Sequence, residues 1–189
     1  MNRLHVLLAA AALVAVGAPV AAIAASGCAS GDAPVLYALV STPPLLAAQE
    51  DASTTIQVRS DGCVVVHAPA WRRDAGTRAF VLSGRELSQL RQEIDGTGVG
   101  GIEPETLRAD LRRAHVQRKR GELPLVSVSD EPIIELTLTD DSGQRTIHWS
   151  SLRQDLANHP DHPDLVAIAA TAETLRRLPL GRTLEEVQP

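Results

Sequence analysis

Residues 54–68 read TTIQVRSDGCVVVHA, and the Asp61-Gly62 pair between two β-rich runs constrains this chain more than any other feature. Ile56 and Val58 alternate with polar neighbours, as a strand with one buried face requires, and Asp-Gly supplies the backbone freedom of a tight turn. The pattern predicts a β-hairpin, and therefore an antiparallel sheet. Residues 78–82 predict a third strand. Directly behind it, Leu82-Ser83-Gly84-Arg85-Glu86-Leu87 has the layout of a capped helix start. Ser83 is the cap, Glu86 its capping-box partner, and Leu82 a staple onto Leu87. The helix is expected to bury Leu87, Leu90 and Ile94 and to stop at Gly96.

The glycine-rich stretch 95–101, DGTGVGG, reads as a flexible connector rather than a phosphate cradle, because Glu103 and Glu105 behind it would repel an anion. Pro104 then opens a helix reaching about residue 118, with a thin apolar stripe of Leu107, Leu111 and Ala114. Residues 121–132 are harder to read, with a short strand expected at 125–128. Alternation returns at 133–138, turns at Asp140-Asp141-Ser142-Gly143 and pairs back over 145–149, a second hairpin. Ser150 or Ser151 is the expected cap of a short helix behind it, with Gln154 as the box partner of Ser151 and Leu152 and Leu156 inward. A last helix opens at Pro163, lines up Leu165, Ile168, Ala172 and Leu175, and ends near Pro179. The fold class expected is α+β: an antiparallel sheet of four or five strands, made of two hairpin-helix units with helices packed on one face. The shared order of the two units is explained by a common supersecondary unit, with an internal duplication as the alternative.

The chain of 189 residues suits one modest domain. With 44% apolar residues it has enough to build a core, but Tyr37, Trp71, Phe80 and Trp149 are its only aromatics, too few for a base- or sugar-stacking surface. Its basic residues are 17 arginines and one lysine, Lys119, which with the alanine load suits a GC-rich bacterial genome. The formal charge of −5 argues against a nucleic-acid partner. The amino terminus has Arg3, an apolar run over 4–16, the breakers Gly17 and Pro19, and small residues to Ser26, the layout of a secretory signal. Ala22-Ile23-Ala24 fits the small-x-small cleavage rule. The expected organisation is residues 1–24 as a cleaved signal peptide, 25–50 as a flexible leader that can hold a first strand, 51–181 as a single α+β domain, and 182–189 as a flexible tail.

Export would carry Cys28 and Cys63 into an oxidising compartment, where a bridge between them is expected to add on the order of 3–4 kcal/mol through loop closure. Ala25-Ser26-Gly27-Cys28 also resembles, in part, the bacterial lipobox. Lipidation at Cys28 would anchor the protein to a membrane and is the only route to one expected here.

No catalytic constellation stands out: there is no G-x-S-x-G elbow, and the serines sit in turns and caps. His159-Pro160-Asp161-His162-Pro163-Asp164, with His148, is the densest polar cluster, but an interhelical loop accounts for it, and neither a metal nor another cofactor is expected. The basic run from Arg108 to Arg120 reads as a solvated helix face. The most suggestive segment is Ala68-Pro69-Ala70-Trp71-Arg72-Arg73, a proline-stiffened loop ending in residue types favoured at binding hot spots. The function expected is that of a non-catalytic, exported cell-envelope protein, periplasmic or secreted, that binds another envelope or secreted protein through Trp71, Arg72 and Arg73. Two rivals stand beside it: an envelope hydrolase or metal-dependent enzyme using His148, His159 and His162, and an inhibitor of secreted proteases presenting the loop from His67 to Trp71.

Overall fold

The computed structural model describes Cys28 and residues 32–47, 49–118 and 130–187, without the side chains of 115–118. The expected signal peptide, its cleavage site and the strand expected at 125–128 lie outside the described residues. The fold is α+β. Seven strands, β1 (Val35–Thr42), β2 (Thr54–Arg59), β3 (Cys63–Ala68), β4 (Gly76–Val81), β5 (Ile133–Asp140), β6 (Gly143–Trp149) and β7 (Glu185–Glu186), form one antiparallel sheet in the order β6-β5-β1-β2-β3-β4-β7. Among the described residues four α-helices accompany it: α1 (Gly84–Gly96), α2 (Pro104–Arg118), α3 (Leu152–Asn158) and α4 (Pro163–Arg177).

The sheet is wider than the four or five strands expected, because both flanks of the expected 51–181 domain contribute to it. Residues 25–50, read as a flexible leader that can hold a first strand, do hold one, β1, and it lies inside the sheet between β5 and β2. Tyr37, Ala38 and Leu39 are consecutive and all buried there, so the strand shows little of the alternation that reveals half-exposed strands. Residues 182–189, read as a flexible tail, supply β7, with Val187 N donating to Thr77 O at 2.9 Å. Arg182 fastens the same segment, donating to Glu86 Oε1 at 2.9 Å and stacking over the Phe80 ring at 4.9 Å.

Register explains where the core sits. Tyr37 pairs with Val58 and Leu138, Leu39 with Ile56 and Leu136, Val58 with Val64, and Val64 with Phe80, so one face of the sheet presents a continuous apolar layer. Leu90 and Ile94 of α1, Leu107 of α2 and Leu165, Ile168 and Leu175 of α4 pack into that same cluster. The other face is mostly polar and open except at one end. There Cys28 and Cys63, with Cα atoms 5.4 Å apart, are joined in a disulfide and pack on Ala79, Val65 and Val187.

The first hairpin forms as its sequence requires. Gly62 takes φ +87°, Asp61 Oδ1 accepts from Cys63 N at 2.9 Å, and a Cβ on Gly62 would stand 2.6 Å from Leu82 O. The capping box is complete: Glu86 N donates to Ser83 Oγ at 3.3 Å, and Ser83 N to Glu86 Oε2 at 2.7 Å. These bonds and Arg182 hold the Glu86 carboxyl down at about 2, the Ser83 hydroxyl contributing most.

Two local expectations need correction. Ser151 does not cap α3: its φ of +63° turns the hydroxyl away, and Glu131 instead accepts from Arg153 N at 2.7 Å, leaving Gln154 no box partner. Nor is 95–101 a loose connector. Thr97 Oγ1 bonds Ile94 O at 2.7 Å and Thr171 Oγ1 at 3.0 Å, and Val99 inserts into the core within a short 3₁₀ turn.

Candidate functional site

Because the sheet is antiparallel, β1 and β3 end where β2, β4 and β5 begin, and the connections 43–53 and 69–75 come together at that end. Pro69 starts a turn closed by Arg72 N donating to Pro69 O at 2.9 Å. Asp51, at φ +54°, clips the two connections together: its carboxylate accepts from Ala70 N at 3.0 Å and bonds His67 Nε2 directly. His67 Nδ1 meets Thr77 Oγ1 at 3.0 Å, which extends the clip onto β4. The hydrogen bond from His67, and then that from Ala70, lower the Asp51 carboxyl below its ordinary value. Acid, imidazole and hydroxyl stand in line here and join the 43–53 connection to β3 and β4.

The three residues singled out from sequence fall at this end in different states. Trp71 is 54% exposed, and its indole N–H reaches Ala52 O at 3.4 Å, so the ring is tethered without being buried. Arg72 is held by Asp74 through two bonds, at 2.8 and 3.1 Å, whereas Arg73 is exposed. The Arg72 guanidinium is the main cause of the lowered Asp74 carboxyl. Among the described residues five large apolar side chains are exposed, and three of them, Leu45 at 86%, Trp71 and Leu180 at 71%, come from connections at this end. Leu45 follows β1, and Leu180 follows α4.

Behind the loop lies a cavity of about 370 Å³ between the core face of the sheet and the end of α4. Leu39, Ile56 and Val66 form its floor, and Leu180 and Leu184 its far wall. Arg72, Arg78 and Arg176 stand around it. The last two carry the strongest cue that sequence reading passed over. Arg78 pairs with Val66 and alternates with Phe80, so β4 points a charge inward where an apolar residue would be usual. Arg176 follows the buried stripe of α4 by one residue and flanks it.

The histidine cluster is not assembled. His148 projects from the open face of β6 and pairs with Glu135 across the strands at 3.2 Å, both well exposed. His159 and His162 sit in the α3–α4 connection, where His162 N donates to His159 O at 3.1 Å, and His162 takes the N-cap position of α4 without a side-chain cap bond. Among the described residues, no three His, Cys, Asp or Glu side chains are grouped to hold a metal ion. Trp149 is core at the strand-to-helix junction, donating to Asp155 Oδ2 at 2.9 Å beneath the Arg108 guanidinium. Among the described residues no helix is long and apolar enough to cross a membrane. Comparison with models of known families, with curated proteins and with solved structures finds no match to this chain.

Proposed function

We propose that this protein is an exported component of the bacterial cell envelope that works without catalysis, by binding another envelope or secreted protein through the strand-end surface around Trp71, Arg72 and Arg73. The observation that carries the reading is that the three most exposed large apolar side chains among the described residues, Leu45, Trp71 and Leu180, all stand on connections, those after β1, β3 and α4. Contiguous exposed apolar surface marks interaction sites, and the exposed Trp71 ring beside two arginines is where such a surface would centre. Tryptophan and arginine are the residue types that dominate binding energy at such surfaces. The Asp51 clip and the indole tether already fix this loop, so little conformational entropy is lost when a partner seats on it.

Export is supported by the signal-like amino terminus and by the Cys28–Cys63 bond, since disulfides persist outside the reducing cytosol. That bond uses the sulfur that a lipid anchor on Cys28 would need, so we read the protein as processed at Ala24 and periplasmic or secreted. We also read its elements as two hairpin-helix units, β2–β3 leading to α1 and β5–β6 leading to α3, because each turn carries a positive-φ glycine, Gly62 or Gly143, ahead of its helix.

The test is affinity capture from envelope extract with the exported protein and its Trp71→Ala and Arg73→Glu variants, each checked for an unchanged far-UV spectrum. One partner retained by the wild type and lost from both variants is expected. A partner retained equally by all three, or inhibition of a secreted protease that survives both substitutions, would overturn the assignment of the surface.

A further inference from the structure

The cavity behind the loop is chemically unlike the surface above it, and the inference drawn from it stands without the protein-binding reading. We propose that it binds a single-chain anionic amphiphile of the fatty-acid class, with the carboxylate between Arg78 and Arg176 and the hydrocarbon chain over Leu39, Ile56 and Val66.

Charge is the first argument. Arg72 is satisfied by Asp74, whereas Arg78 and Arg176 make no hydrogen bond or ion pair among the described residues. Two guanidinium groups beside an apolar floor, with Asp74 the carboxylate near enough to Arg78 to feel its charge, leave room for a further anion, and the planar fork of arginine matches a carboxylate. Asp74, the acidic residue of the lining, is bonded to Arg72 and also feels the charge of Arg78, so one carboxylate stands against three arginines and the cavity is net positive.

The floor supplies the second argument. It is built from the interior strands β1, β2 and β3, whose backbone groups are consumed in the ladders on both sides. A peptide lying on it would meet aliphatic side chains and bury amide groups without partners, which is costly; a methylene chain has nothing to satisfy. The edge pairing by which sheets capture peptides is not on offer at these strands. The lining contains no aromatic side chain, which disfavours a flat ring and suits a chain.

Size is the third. A volume of about 370 Å³ lies at the small end of the range for ligand cavities, room for one chain rather than two. Ser41 and Arg176 also border a second cavity of about 460 Å³ towards Ile134 and Leu156.

Titration calorimetry on the exported, delipidated protein tests this, with dodecanoate below its micellar concentration as the probe. One-to-one binding is expected, weakened at least tenfold by Arg176→Glu and by Arg78→Gln, and by replacing dodecanoate with dodecanol or dodecyltrimethylammonium. Val166→Ser, at the other end of α4, leaves binding unchanged. Matching melting temperatures for the variants separate loss of the site from loss of the fold. Absence of saturable binding, equal binding of the cationic amphiphile, or insensitivity to both arginine variants would overturn the proposal. Tighter binding of a lysophospholipid or of an apolar peptide than of dodecanoate would overturn the choice of occupant.

Discussion

Replacing both cysteines by alanine is the perturbation whose magnitude follows most directly from the topology. The Cys28–Cys63 bond closes a loop over a sequence separation of 35, and the chain-entropy relation for a loop of that length gives about 4 kcal/mol at 25 °C. Both cysteines are buried, at 3% and 2% exposure, against Ala79, so alanines keep most of the apolar contact and the entropic effect dominates. The bond also anchors Cys28, whose carbonyl accepts from Arg59 Nη1 at 2.8 Å, to the end of β2. Four kilocalories is a large fraction of the roughly 5–15 kcal/mol by which domains are stable. Urea unfolding of the wild type and of Cys28→Ala/Cys63→Ala reads the difference. With a slope of about 2 kcal/mol/M, the midpoint is expected to fall by about 2 M. A shift below about 0.5 M at unchanged slope would refute the reasoning, because it would mean that residue 28 separates locally before the domain unfolds and the cross-link constrains little of the unfolded chain.

Gly62→Ala combines a left-handed φ with a Cβ 2.6 Å from Leu82 O, and a loss of about 2 kcal/mol or more in thermal unfolding is expected; a loss under half of that would show that the hairpin yields easily. Glu86 is an acid whose folded pKa of about 2 lies below its unfolded value near 4.3, so its contribution is present above the unfolded value and is lost as pH falls towards 2. The stability gap between wild type and Glu86→Gln should therefore be widest above pH 4.5 and close by pH 2, remaining modest because the carboxylate is solvent-screened; a gap independent of pH contradicts the assignment. Glu131→Ala removes the acceptor for Arg153 N and is expected to cost about 1 kcal/mol, whereas Ser151→Ala should cost much less; the reverse order in denaturant titrations would restore the serine as cap.

Most of the secondary structure was legible because it is written in local chemistry. Asp61-Gly62, Ser83 with Glu86, and the stripe Leu165, Ile168, Ala172 and Leu175 each act over a few residues, and the structure contains each as read. What escaped was decided by distant partners. β1 was legible only as a strand that the leader could hold, because its consecutive buried residues Tyr37, Ala38 and Leu39 show little alternation, and β7 is only two residues long, existing because β4 offers an edge. The cap on α3 comes from Glu131, 22 positions from the donor, and no spacing rule within the helix announces it. At the candidate site, Trp71 was visible as a rare side chain in a stiff loop. Leu45 and Leu180 were not, because only the sheet topology brings their connections to the same end. Arg78 was legible in principle, as the charged member of an inward-facing alternation with Phe80.

Site-specific photocrosslinking in the living cell tests the central claim most directly. A benzophenone amino acid placed at Leu45, Arg73 or Val166, followed by irradiation and mass spectrometry, reports what lies against each position. Positions 45 and 73 should capture the same envelope protein, with position 166, exposed near the start of α4, capturing nothing in common with them. Capture of a partner from position 166 but not from 45 or 73 would contradict the account.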